Sequence, residues 1–220
     1  MEALAPIDRR CKVCDLELEA GQSDCWNRVC GMPDRGFAWN FAIAVRSGDF
    51  ERALNNYKFS GHREWAAIFE RILVGFLDGN AAVFKGIDLI VSSPTYAKLG
   101  ARRSWDHTQA ILVAADREQD PSGRWPFDLS DPPAVVKSED TEPMLPKTFW
   151  DRKTHAEGSL REALNVPNPD RTRGRQIAVV DDVFTTGLTL REVARALIDQ
   201  GGAEAVVGIS LMRQPAGRAK

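Results

Sequence analysis

The stretch QIAVVDDVFTTGLTLREVARAL, Gln176 to Leu197, decides the fold. Ile177 to Val180 form a short aliphatic run of the kind that makes a buried strand. The run leads directly into two carboxylates, Asp181 and Asp182, and then, past Val183 and Phe184, into the small-residue turn Thr185-Thr186-Gly187. An apolar-periodic helix follows, from Leu188 to Asp199. Strand, acidic end, tight turn and helix N-terminus together describe a cradle for a phosphorylated, hydroxyl-bearing ligand. Ionised carboxylates accept well from vicinal sugar hydroxyls. Successive amides from Phe184 to Leu188 can converge on a phosphate at the positive end of the helix. Gly187 frees the backbone where a phosphate must approach closely, and Thr185, Thr186 and Thr189 add hydroxyl donors. The plainer alternative is a capped helix after a strand.

The same alternation recurs along the chain. Strands are expected at Ala38–Val45, Ile87–Val91, Ala134–Lys137, Ile177–Val180 and Ala205–Leu211. Helices are expected at Phe50–Tyr57, Glu64–Leu77, Ser104–Ala115, Ala156–Leu164 and Leu188–Asp199, with Lys58–His62 as a polar turn. In the second of these, Trp65, Ile68, Phe69, Ile72, Leu73 and Phe76 fall at three- and four-residue spacings and predict its buried face. Short strands between longer helices predict an α/β fold with a mostly parallel sheet covered on both faces. Ligands of such sheets collect beyond the C-terminal ends of the strands. Asp181-Asp182 and Ser92-Ser93-Pro94 both occupy such ends. GxGxxG and GxxxxGK[ST] are absent, which disfavours ordinary dinucleotide and P-loop readings.

With 29 basic and 31 acidic residues the net charge is -2, so no global field favours nucleic acid. The N-terminus MEALAPIDRR has no signal-like apolar region, and no apolar run reaches the roughly 20 residues of a membrane span. A cytoplasmic protein without membrane insertion is expected. All four cysteines cluster early, at Cys11, Cys14, Cys25 and Cys30. In a reducing compartment that clustering favours a structural Zn²⁺ site over a redox pair, disulfides or unrelated thiols. Residues 1–36 then form a small cysteine-rich zinc module and 37–220 the main domain. A four-thiolate ion would fold the module and catalyse nothing.

VVDDVFTTGLT closely resembles the binding motif for 5-phosphoribosyl-1-pyrophosphate (PRPP) in the type I phosphoribosyltransferases. The resemblance implies that Asp181 and Asp182 hold the ribose hydroxyls and that Thr185 to Thr189 hold the 5'-phosphate. Purine-salvage members carry a further acid where Thr185 stands here. The cysteine module resembles the zinc-ribbon-like start of the ComF family of competence-associated, phosphoribosyltransferase-like proteins. Ala53 to Gly61 (ALNNYKFSG), Asp88 to Pro94 (DLIVSSP), Arg102-Arg103 and Asp106 to Gln109 are similar to further segments of that family. Ser92 stands for an expected proline and Thr108 for an asparagine.

The resemblance implies a phosphoribosyl transfer to an unidentified nitrogenous acceptor, with Mg²⁺ and basic side chains stabilising the departing pyrophosphate. Ser92 and Ser93 begin the turn in the pyrophosphate-loop position. Lys98, Arg102 and Arg103 are the catalytic cation candidates, each equally readable as solvated surface. Lys147, Arg152 and Lys153 are candidates for a hood. His107 is expected at the surface or as a helix cap. Phe37, Trp39, Phe41, Trp65 and Phe69 read as core, whereas Trp105, Trp125 and Trp150 can face a ligand. The alternative function is a non-enzymatic DNA-uptake accessory that handles single-stranded DNA or a helicase partner. Arg9, Arg10, Lys12 and Arg28 would supply its modest basic patch.

Overall fold

A computed structural model describes residues 9–98, 101, 103–119, 124–141 and 148–214. Its elements are β1 (Asn40–Val45), α1 (Gly48–Phe59), α2 (Ala66–Gly79), α3 (Ala81–Phe84), β2 (Leu89–Ser92), α4 (His107–Glu118), β3 (Val136–Lys137), α5 (Phe149–His155), α6 (Arg161–Ala163), β4 (Leu164–Asn165), β5 (Gln176–Phe184), α7 (Leu188–Asp199) and β6 (Ala205–Arg213). The main sheet has the order β1-β6-β5-β2 and all its pairings are parallel. β3 and β4 form a separate antiparallel ribbon. This is a mostly parallel α/β fold of the type I phosphoribosyltransferase-like kind, with a cysteine-rich cluster at its N-terminal end that is able to bind a metal.

Strand periodicity sends alternate side chains to opposite faces. Ile177 and Val179 of β5 join Val91, Leu188, Val193 and Leu197 on one face. Ala178 and Val180 join Leu54, Phe69, Leu73, Ile111 and Leu112 on the other. Helices therefore cover both sides, α7 on the first and α1, α2 and α4 on the second. Among the described residues the cysteine segment has no separate core: Cys11, Cys14, Leu16 and Val29 are buried in the same cluster as α7 and Phe184.

Several boundaries differ from expectation. β5 does not stop at Val180 but continues to Phe184, because its ladder with β6 runs on through Asp181↔Ser210 to Phe184↔Arg213. α1 extends through Lys58 and Phe59 into the expected turn. α2 starts at Ala66 after a 3-10 turn, and it buries Phe69, Glu70, Leu73 and Leu77 while leaving Ile68 exposed. α5 is additional; a reciprocal capping box between Thr148 and Asp151 starts it. The expected helix at Ala156–Leu164 becomes a π-type turn bent at Gly158, one turn of α6, and the ribbon strand β4. Phe37 and Phe69 are core, Phe41 and Trp65 are partly buried, and Trp39 is exposed. Trp125 is buried and donates to Asp78 Oδ1 at 2.9 Å, Trp105 packs on Tyr57, and Trp150 is exposed.

Candidate functional site: a two-lobed cleft at the end of β5

The turn after β5 is shaped by close packing. Gly187 takes φ +84, a left-handed conformation, directly before α7. A Cβ there would lie 2.4 Å from Phe184 Cζ and 3.0 Å from Val29 Cγ1, so glycine is required twice over. Phe184 and Leu188 are buried and anchor the two ends of the turn.

Thr185, Thr186, Gly187 and Thr189 line a cavity of about 260 Å³, together with Asp181, Lys137, Arg152 and His155. Arg152 Nε and His155 Nε2 are buried atoms with no hydrogen-bond partner among the described residues. An adjoining cavity of about 200 Å³ shares Pro94, Lys137, Asp181, Val183 and Thr189 with the first, and adds Ser93, Tyr96, Arg103, His107, Asp140 and Asp182. The cleft thus has one lobe on the threonine turn and a second at the end of β2. Asp181 and Val183 lie between them.

The two aspartates have different surroundings because neighbouring strand residues face opposite ways. Asp182 points toward α1 and α4. Its Oδ2 accepts from Lys58 Nζ at 2.5 Å and from His107 Nε2 at 2.6 Å. Burial opposes its ionisation, but the Lys58 charge and the His107 hydrogen bond outweigh burial and hold its pKa well below the usual carboxylate range. Among the described residues no side chain pairs with Asp181 in this way; its Oδ1 accepts only from the Asp182 amide, at 2.9 Å. Burial, reinforced by the negative charge of Asp182, pushes its carboxyl up to about 7. Asp181 therefore titrates near neutrality while its neighbour stays ionised.

His107 is not a surface residue. Asp106 caps α4 by accepting from the amides of Thr108 and Gln109, and it also accepts from Thr95 N at 3.3 Å. This holds the first turn of α4 against the sheet end, where His107 is 4% exposed. Burial keeps its pKa below normal despite Asp182. Arg103 Nη1 donates to Nδ1 at 3.2 Å, which leaves the proton on Nε2 for Asp182. Neither Lys58 nor His107 carried a functional signal of its own in the sequence. Lys58 did fall within the ALNNYKFSG segment.

The remaining candidates are placed as follows. Ser93 lines the second lobe, whereas the Ser92 hydroxyl donates to Gln109 Oε1 at 2.7 Å and is buried. Arg103 lines the second lobe with its guanidinium 4.8 Å from the centre of the Phe59 ring. Lys98 is exposed above the Tyr96 ring. Arg102 and Lys147 lie outside the described residues. Lys153 pairs with Glu157 at 2.5 Å.

At the other end of the chain, the Sγ atoms of Cys11, Cys14, Cys25 and Cys30 all lie within 4.8 Å of one another. The Cys11–Cys30 and Cys14–Cys25 separations are 3.8 and 3.7 Å. A tetrahedral site with metal–sulfur bonds of about 2.3 Å has edges of about 3.8 Å, so the set fits one ion. The amides of Val13 and Asn27 donate to Cys11 Sγ and Cys25 Sγ, each at 3.4 Å, as suits thiolate ligands. Beside this cluster Arg28 lies 5.3 Å from the ring centre of Trp150 and 5.8 Å from that of Phe149, over a cavity also lined by Trp26 and Met32. Arg9 and Arg10 are paired with Glu17 and Asp15. No helix among the described residues is long and apolar enough to cross a membrane.

No family model matches the chain. The DNA utilization protein YhgH of Escherichia coli K12 is 28% identical over 210 residues, covering 88% of this chain and 86% of that protein. The protein of the same name from Shigella flexneri is 27% identical over the same extent. An orotate phosphoribosyltransferase of Halorhodospira halophila is 36% identical over 66 residues, 30% of this chain and 28% of the enzyme. Over most of its length the chain is thus a homologue, at moderate identity, of the ComF/YhgH family of DNA utilization proteins.

Proposed function

We propose that the protein is an accessory factor in DNA utilization whose cleft binds a phosphorylated ribose, with PRPP as the fullest ligand. The observation that carries the ligand is the first lobe. There Thr185–Thr189 face Arg152 and His155, whose buried Nε and Nε2 atoms lack partners among the described residues. Buried donors without acceptors are costly, and a phosphate would satisfy them. Asp181, at the junction of the lobes, would accept from the ribose hydroxyls, and Asp182 would support it from behind. The second lobe, with Ser93, Tyr96 and Arg103, would take the pyrophosphate and its Mg²⁺. The DNA process comes from the name of the relatives alone. Residues 1–36 would serve as a zinc-braced module on the main domain.

Calorimetric titration tests the ligand. Ribose 5-phosphate should bind, ribose should not, and PRPP with Mg²⁺ should bind more tightly than either. Equal affinities for ribose and its phosphate would reject the reading. For direct contact with single strands, Arg28 and Trp150 combine a cation with an exposed stacking surface. Arg28→Ala should then lower salt-dependent anisotropy of a labelled oligonucleotide. An unchanged signal would leave a protein partner, such as a helicase, as the point of contact.

The second reading is phosphoribosyl transfer from PRPP to a nitrogenous acceptor. It is supported by the local match to an orotate phosphoribosyltransferase. Acceptor-dependent release of pyrophosphate would establish it. No release across purine, pyrimidine and pyridine acceptors, with PRPP bound, would leave only the accessory role.

A further inference from the structure

Arg213, the last residue of β6, is a charged side chain only 1% exposed. Among the described residues no carboxylate lies within ion-pairing distance of it. Its guanidinium instead spans two regions that are far apart in sequence. On one side Nε donates to Cys14 O at 2.9 Å and Nη2 to Cys14 Sγ at 3.4 Å. On the other, Nη1 donates to Phe184 O at 3.0 Å and to Thr185 O at 2.9 Å. The group lies 4.8 Å from the centre of the Phe184 ring, whose edge is what excludes a side chain at position 187.

Two physical consequences follow. A buried guanidinium with no directly paired carboxylate, Asp15 acting on it only at longer range, is stabilised by a further source of negative charge. Four thiolates around a divalent ion carry a net charge of about -2, and Arg213 donates to one of those sulfurs. In a trans peptide the C=O of one residue and the N–H of the next point in opposite directions. Arg213, together with Gln214 N on the Phe184 carbonyl, therefore holds the amides of Thr185 and Thr186 facing away from the guanidinium. Arg191 of α7, fully buried, also ties the helix after the turn to the segment following Cys30, pairing with Asp34 as well as with Glu157 and Glu192.

We propose that Arg213 is a positioning residue that couples the metal-loaded cysteine cluster to the threonine turn, so that the turn's amides are aimed for a phosphate only when the cluster holds its ion. The ligand side of this proposal rests on the phosphorylated-ribose reading; the coupling itself does not.

The test uses the full chain loaded with Co²⁺, whose thiolate charge-transfer bands report the cluster. Arg213→Lys keeps the charge but has a single donor head, too small to span both sides. Arg213→Met removes the charge and covers the case in which lysine finds a new geometry. In the wild type, chelating the metal should speed amide exchange across residues 183–190, and ribose 5-phosphate should shift the cobalt bands. Arg213→Lys should retain the cobalt bands and a cooperative thermal transition. It should nonetheless exchange the turn's amides faster and bind ribose 5-phosphate about tenfold more weakly, as expected for two lost charge-assisted hydrogen bonds.

Turn amides that exchange at the wild-type rate in both variants, and that ignore chelation in the wild type, would overturn the proposal. Turn exchange that follows the metal in a protein that binds no ribose 5-phosphate would uphold the coupling and reject the ligand.

Discussion

The two walls of the cleft are built in different ways. One is continuous: Asp181 to Thr189 leave β5, turn at Gly187 and enter α7 within nine residues. The other is assembled from Lys58 on α1, Ser93 to Tyr96 after β2, Arg103 and His107 at the start of α4, Lys137 on β3, and Arg152 and His155 on α5. The continuous wall carries hydroxyls and carboxylates, while the assembled wall contributes most of the positive charge. Under the proposed function, a ligand held by both would be anionic at its ends and hydroxylated between them. Asp181 and Asp182 show the difference at the smallest scale, since one faces the junction of the lobes and the other is held by the assembled wall.

The largest effect is expected at Asp182. Asp182→Asn leaves the partly buried Lys58 without its counter-charge, which costs about 3 kcal/mol and lowers the melting temperature. Adding Lys58→Met should recover part of the loss. If the double variant melts no higher than Asp182→Asn, the pair is not what anchors that wall. Next comes Gly187→Ala. Its Cβ meets Phe184 at 2.4 Å in a left-handed backbone, so a loss of roughly 2 kcal/mol is expected by chemical denaturation.

Asp181→Asn should have the opposite sign. The carboxyl titrates at about 7 in the folded chain, against an ordinary value of 3.8. Between those values the native state binds the extra proton, so this residue's contribution to stability falls as pH rises from about 4 to about 7. The variant escapes that loss and should melt a few degrees higher at pH 8. The lowered Asp182 works the other way: its contribution is present above the unfolded value and is lost as pH falls through the folded one. Melting curves at pH 5 and pH 8 separate the two. A lower melting temperature for Asp181→Asn at pH 8 would mean that the free protein stabilises the charge at that site. The smallest effect concerns Arg103→Ala, which should weaken PRPP several-fold and leave ribose 5-phosphate nearly unchanged. Equal losses would place Arg103 on the sugar phosphate instead.

The continuous wall was legible in the sequence because strand period, paired acids, small-residue turn and helix onset all lie within one short stretch. The parallel sheet was legible for the same reason, as short apolar strands alternated with periodic helices. The assembled wall was not. Lys58 read as part of a polar turn because nothing local shows that α1 runs one turn further. His107 read as a cap or surface group because its burial depends on Asp106 fixing the start of α4 against a strand end 75 residues away. α5 is only seven residues long and follows the acidic, proline-punctuated stretch 138–147, so it was not expected, although Thr148 and Asp151 carried its capping signal. Arg213 gave no warning either, since a basic residue at the end of an apolar strand looks like a solvated terminus.

The central claim is that the end of β5 and the turn after it hold a sugar phosphate. A crystal structure of the protein with PRPP and Mg²⁺ tests it most directly. The account predicts a phosphoryl group within hydrogen-bonding distance of the Thr185 to Leu188 amides and ribose hydroxyls on Asp181. Ligand bound elsewhere, with the turn empty and Asp181 facing only solvent, would contradict it.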